Sequence, residues 1–122
     1  MKGRRREMPR EEFHRMLCAA FSVPSIHSEY GMAELMSQAY SQGDGLFRTP
    51  PWMRVLTRDL NDPFAWAGSG RSGGINVIDL ANVYSCSFLQ TQDFGKAYDD
   101  GTFRIEGRIT GSEIRGCNLL VQ

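Results

Sequence analysis

The sequence has neither a long apolar run nor an excess of charge of one sign. No uninterrupted apolar stretch of its 122 residues approaches the roughly 20 residues of a membrane span. The basic residues near the start are followed by acids instead of the apolar core of a signal peptide. Lys plus Arg and Asp plus Glu number 14 each, so no overall field favours nucleic acid or an anionic membrane. We therefore expect a soluble, cytoplasmic protein with no membrane span and no nucleic-acid partner.

Cysteine is also scarce. The three cysteines, Cys18, Cys86 and Cys117, are an odd number and show neither a CxxC pair nor Cys/His metal spacing. This usage is typical of a reducing compartment and not of a disulfide scaffold. It argues against metal binding by thiols.

What is present suffices for one domain with a core of ordinary size, since 41% of the residues are hydrophobic. Pro9 and the acids after it are typical of a helix start. Apolar side chains then recur with a helical period at Phe13, Met16, Leu17, Ala20 and Phe21. The pattern predicts a helix that packs this stripe against a core.

After the helix, residues 23–30 read as a short extended segment that ends at Gly31, and a helical period returns over 32–40. Turn-rich stretches then separate four predicted strands, at 52–58, 75–80, 84–91 and 102–109. Asp100-Gly101 predicts a tight hairpin before the last strand.

The predicted fold is α+β, with an N-terminal helix, a short strand–turn–helix, and then a mostly antiparallel sheet or distorted barrel. We expect a single domain over residues 1–122. It would have a flexible start at 1–8, a helix–strand–helix part at 9–42 and a β-rich part at 43–122.

The turn at Gly31 is the first candidate for chemistry. A glycine there lets a ligand approach the backbone, and the predicted following helix would offer free N–H donors to an anion. The alternative is a simple β-to-α turn without a ligand.

Residues 30–34 read Tyr-Gly-Met-Ala-Glu, which is similar to the Tyr-Gly-Met-Thr-Glu motif of the adenylate-forming acyl-activating superfamily. Further along, 91–95 resembles the Thr-Gly-Asp motif of that superfamily, 101–103 resembles the strand after its hairpin, and 106–108 resembles the Gly-Arg that closes its large domain. Residues 28–40 and 115–119 carry a narrower likeness to the LuxE-like acyl-protein synthetases, with the phenylacetate–CoA ligases next closest.

The resemblance implies a nucleotide site. Tyr30 would line the adenine, while the backbone at Gly31 and Met32 would lie close to the nucleotide. Asp93 would accept hydrogen bonds from both ribose hydroxyls, which an ionised carboxylate does well. Read without the resemblance, Tyr30 is a core residue and Asp93 a turn residue.

The resemblance also implies reactive groups. Glu34 would bind the magnesium ion that bridges the phosphates, since a hard cation prefers carboxylate oxygen. Arg108 would reach the ribose or a phosphate, and Cys117 would take the acyl group as a thioester. The alternatives are a helix first-turn acid for Glu34, an exposed strand-end cation for Arg108 and a buried structural thiol for Cys117.

Two departures from the family pattern shape the expected function. Ala33 stands where the motif usually has Thr, and no phosphate-cradling Gly/Ser/Thr-rich loop precedes the motif. We therefore expect the C-terminal part of an acyl-protein synthetase, inactive alone, whose parent uses ATP or AMP and magnesium.

The expected partners are the missing N-terminal part of the same protein, a carboxylic (fatty) acid, and an acyl acceptor protein or coenzyme A. We also expect a homo-oligomer, because surfaces facing the missing part would be apolar and exposed. A coenzyme A ligase and a non-catalytic interaction module remain the alternative functions.

Overall fold

The computed structural model describes residues 8–62 and 64–109. Its one α-helix in this part, α1 (Arg10–Phe21), begins directly after Pro9, as predicted. Glu11 and Glu12 occupy the first turn, where negative charge favours the helix dipole. The helix ends at Phe21, and the capping residue Ser22 adopts a left-handed φ of 54°.

The apolar stripe of α1 is not packed against the core, so that part of the prediction is wrong. No residue of the helix is buried, and Phe21 is 68% exposed. Two polar side chains of the helix contact the rest of the chain. His14 Nε2 lies 3.0 Å from Ser28 Oγ, and the Arg10 guanidinium lies 5.2 Å from the centre of the Phe47 ring.

The prediction of a second helix at 32–40 is also wrong. β1 (Ser28–Tyr30) is followed by turns, and Ala39–Ser41 forms a second strand, β2, that pairs antiparallel with β1. The helix N-terminus that was expected to offer N–H donors to an anion after Gly31 is therefore absent from the described residues. The helical period is overridden because side chains from distant parts of the chain bind the backbone of this segment.

The remaining strands form one antiparallel sheet in the order β3 (Met53–Arg58), β4 (Ser72–Asp79), β5 (Phe88–Ala97) and β6 (Phe103–Arg108). All four predicted strands are found, although β5 lies further toward the C-terminus than expected. The predicted hairpin is confirmed: Gly101 has a φ of 87° in the turn between β5 and β6. A positive φ of this kind is one that glycine adopts at little cost.

The core lies on the inner side of this curled sheet, where the two sheets meet. Phe47 N donates to Phe103 O at 2.8 Å, and the rings of Phe47 and Phe103 stack with their centres 5.3 Å apart. Aliphatic side chains complete the core, chiefly Met53, Val55, Ile75, Val77 and Ala97. The result is a small α+β fold in which the sheets form a curled half-barrel, and the α+β prediction is confirmed.

In the part of the chain that the structure describes, no helix is both long and apolar enough to cross a membrane.

Candidate functional site

A cleft of about 470 Å³ opens where the segment after β1 meets the middle of β5 and the end of β6. Binding sites for small molecules commonly have volumes of about 300–1,000 Å³. Its lining consists of Gly31, Met32, Glu34, Leu89, Gln90, Thr91, Gln92, Asp93 and Arg108. Residues from three of the sequence motifs thus line one space, although they are far apart in the chain.

Glu34, Asp93 and Arg108 therefore converge as the motifs predicted, and Gly31 and Met32 lie beside them. Arg108 Nε is 3.8 Å from Asp93 Oδ1, and the Arg108 side chain is 74% exposed. An ion pair this open is screened by water and contributes little stability. Arg108 is thus left accessible to an anionic ligand.

An irregularity in the β5–β6 hairpin brings Arg108 to this position. Gly95 pairs with Ile105, whereas Phe94 pairs with Gly107, so β6 carries one extra residue. A one-residue shift moves every later side chain of a strand to the opposite face. Without it, Gly107 would face Asp93 and Arg108 would lie on the other side of the sheet.

Asp93 is held at its side chain and at its backbone. Its Oδ2 accepts a hydrogen bond of 2.7 Å from the Tyr30 hydroxyl, and its backbone N–H donates to Thr91 Oγ1 at 3.1 Å. The carboxylate is 17% exposed. It is a fixed acceptor at the edge of the cleft.

The position of the Tyr30 ring differs from the predicted one, in which the ring would line an adenine. The ring is in the core, edge-on to Phe47 at 6.0 Å and to Phe103 at 5.2 Å between centres. Burial of Tyr30 and its hydrogen bond to the Asp93 carboxylate raise the pKa of the phenol well above its usual range. Tyr30 therefore contacts the cleft residue Asp93 through a protonated hydroxyl, and its ring does not line the cleft.

A buried arginine that the sequence analysis missed, Arg58, donates a hydrogen bond to the backbone of β5. Arg58 Nη2 donates to Thr91 O at 2.8 Å, and Nη1 donates to Ile75 O at 3.0 Å. The guanidinium fits because Gly74 has no side chain, since a Cβ there would overlap it. Burial lowers the pKa of Arg58. Nothing in the local pattern distinguishes this arginine from an ordinary strand-end cation.

The segment that carries Glu34 is held by three side chains that sequence reasoning also missed. Asn82 Nδ2 donates to Glu34 O at 2.6 Å. Asp79 is fully buried and accepts from the backbone N–H and the hydroxyl of Ser37, each at 2.8 Å. The Trp52 indole N–H donates to Ser37 Oγ at 2.8 Å. These bonds replace the helical hydrogen bonds that the periodicity of this segment predicted.

The cleft supplies only some of the oxygen ligands that a magnesium ion needs. Glu34 is exposed on the cleft wall and offers the carboxylate oxygen that magnesium prefers. Among the described residues, no group of three or more His, Cys, Asp or Glu side chains could hold a metal by itself. A magnesium ion would therefore need further oxygen ligands, which the phosphates of a nucleotide would supply.

Cys117, the predicted acyl carrier, lies outside the described residues. A larger cleft of about 860 Å³ lies beneath α1, and none of the predicted site residues lines it. Basic and acidic side chains mix along its wall, so it has no preference for ligands of one charge. The smaller cleft is therefore the candidate site.

No protein-family model and no curated protein matches the chain. Solved structures do match. The ATP-bound MatB from Rhodopseudomonas palustris is 21% identical with a TM-score of 0.58, over 80% of this chain and 23% of its own. The luciferase-like enzyme from the nonluminescent Zophobas morio mealworm is 19% identical with a TM-score of 0.57, over 78% of this chain and 28% of its own.

The O-succinylbenzoate coenzyme A synthetase (MenE) from Bacillus subtilis, in complex with AMP, is 18% identical. Its TM-score is 0.54, over 76% of this chain and 23% of its own. The chain thus spans about a quarter of the length of these structures. At such identities the likeness shows a shared fold.

Proposed function

We propose that the chain is part of an enzyme of the adenylate-forming superfamily, which activates a carboxylic acid with ATP. The observation that carries the proposal is the convergence of Glu34, Asp93 and Arg108 on one cleft. The fold supports it, because structures with the same fold include an ATP-bound and an AMP-bound enzyme. The missing part of the same protein would supply the rest of the site and the phosphate loop.

In the proposed reaction, the carboxylate of the acid attacks the α-phosphorus of ATP and displaces pyrophosphate, which gives an acyl-adenylate. Asp93 would orient the nucleotide by accepting hydrogen bonds from the ribose hydroxyls. Glu34 would hold magnesium on the phosphates, and Arg108 would place its guanidinium against the negative charge of the nucleotide. Gly31 and Met32 would form the wall beside the nucleotide.

Binding of AMP by the 122-residue chain tests this assignment. We expect weak binding, seen by NMR as shifts of the amide signals of the cleft. The Asp93→Ala variant should bind at least about tenfold more weakly, because hydrogen bonds to a charged group contribute about 1.5–3 kcal/mol each. Asp99→Ala removes an exposed carboxylate outside the cleft and should bind AMP like the wild type.

If the wild-type chain does not bind AMP at millimolar concentration, the nucleotide assignment is wrong. The alternative of a non-catalytic interaction module would then be favoured. Equal affinities of the Asp93→Ala and Asp99→Ala variants would show that AMP binds elsewhere.

For the second step, we propose transfer of the acyl group to a thiol. The likeness to LuxE-like acyl-protein synthetases favours Cys117 of the chain itself and a fatty acid as substrate. A coenzyme A thiol is the second candidate, favoured by the likeness of the fold to an O-succinylbenzoate coenzyme A synthetase. In that case Cys117 would be structural.

Incubation of the chain with a synthetic fatty acyl-adenylate separates these acceptors. We expect mass spectrometry of peptides to find the acyl group on Cys117 in clear excess over Cys86, because a thiol that serves as acceptor should outcompete one that is merely accessible. Cys86 is an exposed free thiol and serves as the internal control. Equal labelling of both peptides would contradict a specific acceptor at Cys117 and favour coenzyme A.

Self-association stays a prediction and is part of the proposal. Large apolar side chains are exposed on α1, among them Phe13, Met16 and Phe21. The missing part of the parent protein, or a second copy of the chain, would cover them.

A further inference from the structure

We propose that the Tyr30 hydroxyl is the positioning group that aims the Asp93 carboxylate at the ribose hydroxyls of the bound nucleotide. This inference rests on the proposed function, and it gives Tyr30 a task different from adenine contact. Tyr30 touches the nucleotide only through Asp93, so it is a positioning residue.

The Tyr30 phenol is firmly anchored at its ring and at its backbone. The Tyr30 ring is 9% exposed and packs edge-on against the stacked rings of Phe47 and Phe103. Tyr30 is also the last residue of β1, where its backbone pairs with Ala39 of β2. Ring and backbone are therefore both fixed, and the hydroxyl holds one position beside the Asp93 carboxylate.

A hydrogen bond from Tyr30 holds the Asp93 carboxylate. Among the described residues, the Tyr30 hydroxyl makes the one hydrogen bond to the Asp93 carboxylate, at 2.7 Å to Oδ2. Arg108 Nε is 3.8 Å from Oδ1, which is too long for a hydrogen bond. The orientation of the carboxylate thus depends on Tyr30.

A phenol donor and a carboxylate acceptor are suited to this positioning role. A buried phenol next to a carboxylate stays protonated at neutral pH, so it remains a donor. An ionised carboxylate has about four acceptor positions, of which the phenol uses one. Oδ1 and the remaining positions stay free for two hydroxyl groups of a ribose.

The variant Tyr30→Phe removes the hydroxyl and keeps the ring in the core. Asp93 then rotates more freely and must be ordered by the ligand, which weakens binding. We expect about fivefold weaker binding of AMP, in keeping with the loss of one hydrogen bond of about 1 kcal/mol. Tyr84→Phe, at a fully exposed tyrosine outside the cleft, is the matched control and should bind like the wild type.

A second nucleotide separates positioning from general damage to the fold. Binding of 2′,3′-dideoxy-AMP does not use the ribose hydroxyls, so Tyr30→Phe should leave its affinity unchanged. Weaker binding of AMP alone supports the inference. Equal weakening of both nucleotides, or no weakening of either, would overturn it while the Asp93→Ala result stands. A wild-type chain that does not bind AMP overturns both the proposed function and this inference.

A spectrophotometric titration tests the Tyr30–Asp93 contact without any nucleotide. The difference in absorbance between wild type and Tyr30→Phe isolates the ionisation of Tyr30. In the Asp93→Asn background this ionisation should move to lower pH, because the negative neighbour is gone. An ionisation that stays where it was would contradict the contact and with it the inference.

Discussion

Gly95→Ala should lower the free energy of unfolding by about 3 kcal/mol, or prevent folding altogether. A Cβ at Gly95 would overlap the backbone carbonyl oxygen of Arg104 on the neighbouring strand. The obstacle is backbone, so no side-chain rotation relieves it and the β5–β6 pair must open. Urea unfolding followed by circular dichroism measures the loss.

Gly107→Ala is the matched control in the same hairpin. No heavy atom lies within 4 Å of a Cβ built at Gly107, so this variant should stay within about 0.5 kcal/mol of the wild type. Equal stability of the Gly95 and Gly107 variants would show that the close approach at Gly95 does not exist.

The effect of Gly95 extends to the candidate site. The irregularity of pairing next to Gly95 sets Arg108 opposite Asp93. A Gly95→Ala chain that still folds would do so by shifting this register, and Arg108 would then leave the cleft. We therefore expect any folded fraction of that variant to bind AMP more weakly.

Asp79→Ala should lower the free energy of unfolding by about 3 kcal/mol. The buried carboxylate accepts two hydrogen bonds from Ser37 and a third from Ala81 N at 3.0 Å. Without it these donors stay buried with no acceptor, and the segment that carries Glu34 loses its attachment to the sheet. Chemical denaturation measures the change, and the exposed Asp99→Ala is the control, expected within about 0.5 kcal/mol of the wild type.

The same carboxylate gives the fold a dependence on pH. Burial of Asp79 raises its pKa, but the hydrogen bonds from Ser37 and Ala81 outweigh burial and hold the pKa below its ordinary value of 3.8. The unfolded chain thus takes up a proton more readily than the folded one. The stabilisation is complete above pH 3.8 and is lost as the pH falls below that value through the folded-state pKa.

In the Asp79→Ala variant, the free energy of unfolding should therefore fall less steeply as the pH becomes acid. Its value at neutral pH should also be lower than that of the wild type. A variant with the acid dependence of the wild type would show that other carboxylates cause it. A stability loss no larger than that of Asp99→Ala would contradict the role of Asp79 in holding the segment.

The fold class and most of the elements could be read from the sequence, because they depend on neighbours in the chain. The helix after Pro9, the four strands of the large sheet and the turn at Gly101 all follow local patterns. The motifs also indicated that Glu34, Asp93 and Arg108 belong to one site, and the structure brings them together.

Other features were decided by tertiary contacts that no local pattern contains. The segment after Gly31 is not helical because Asp79 and Asn82, 42 to 48 residues further along the chain, bind its backbone. The Tyr30 ring lies in the core because Phe47 and Phe103 meet there, and the predicted adenine contact could not take this into account.

The sequence by itself thus determined the helix after Pro9, the strands of the large sheet and the turn at Gly101, and it indicated which residues to consider for the candidate site. Tertiary structure decided which way those residues face. The physical reason is that backbone preferences act over a few neighbouring residues, whereas side-chain orientation depends on strand register and on buried partners from distant parts of the chain.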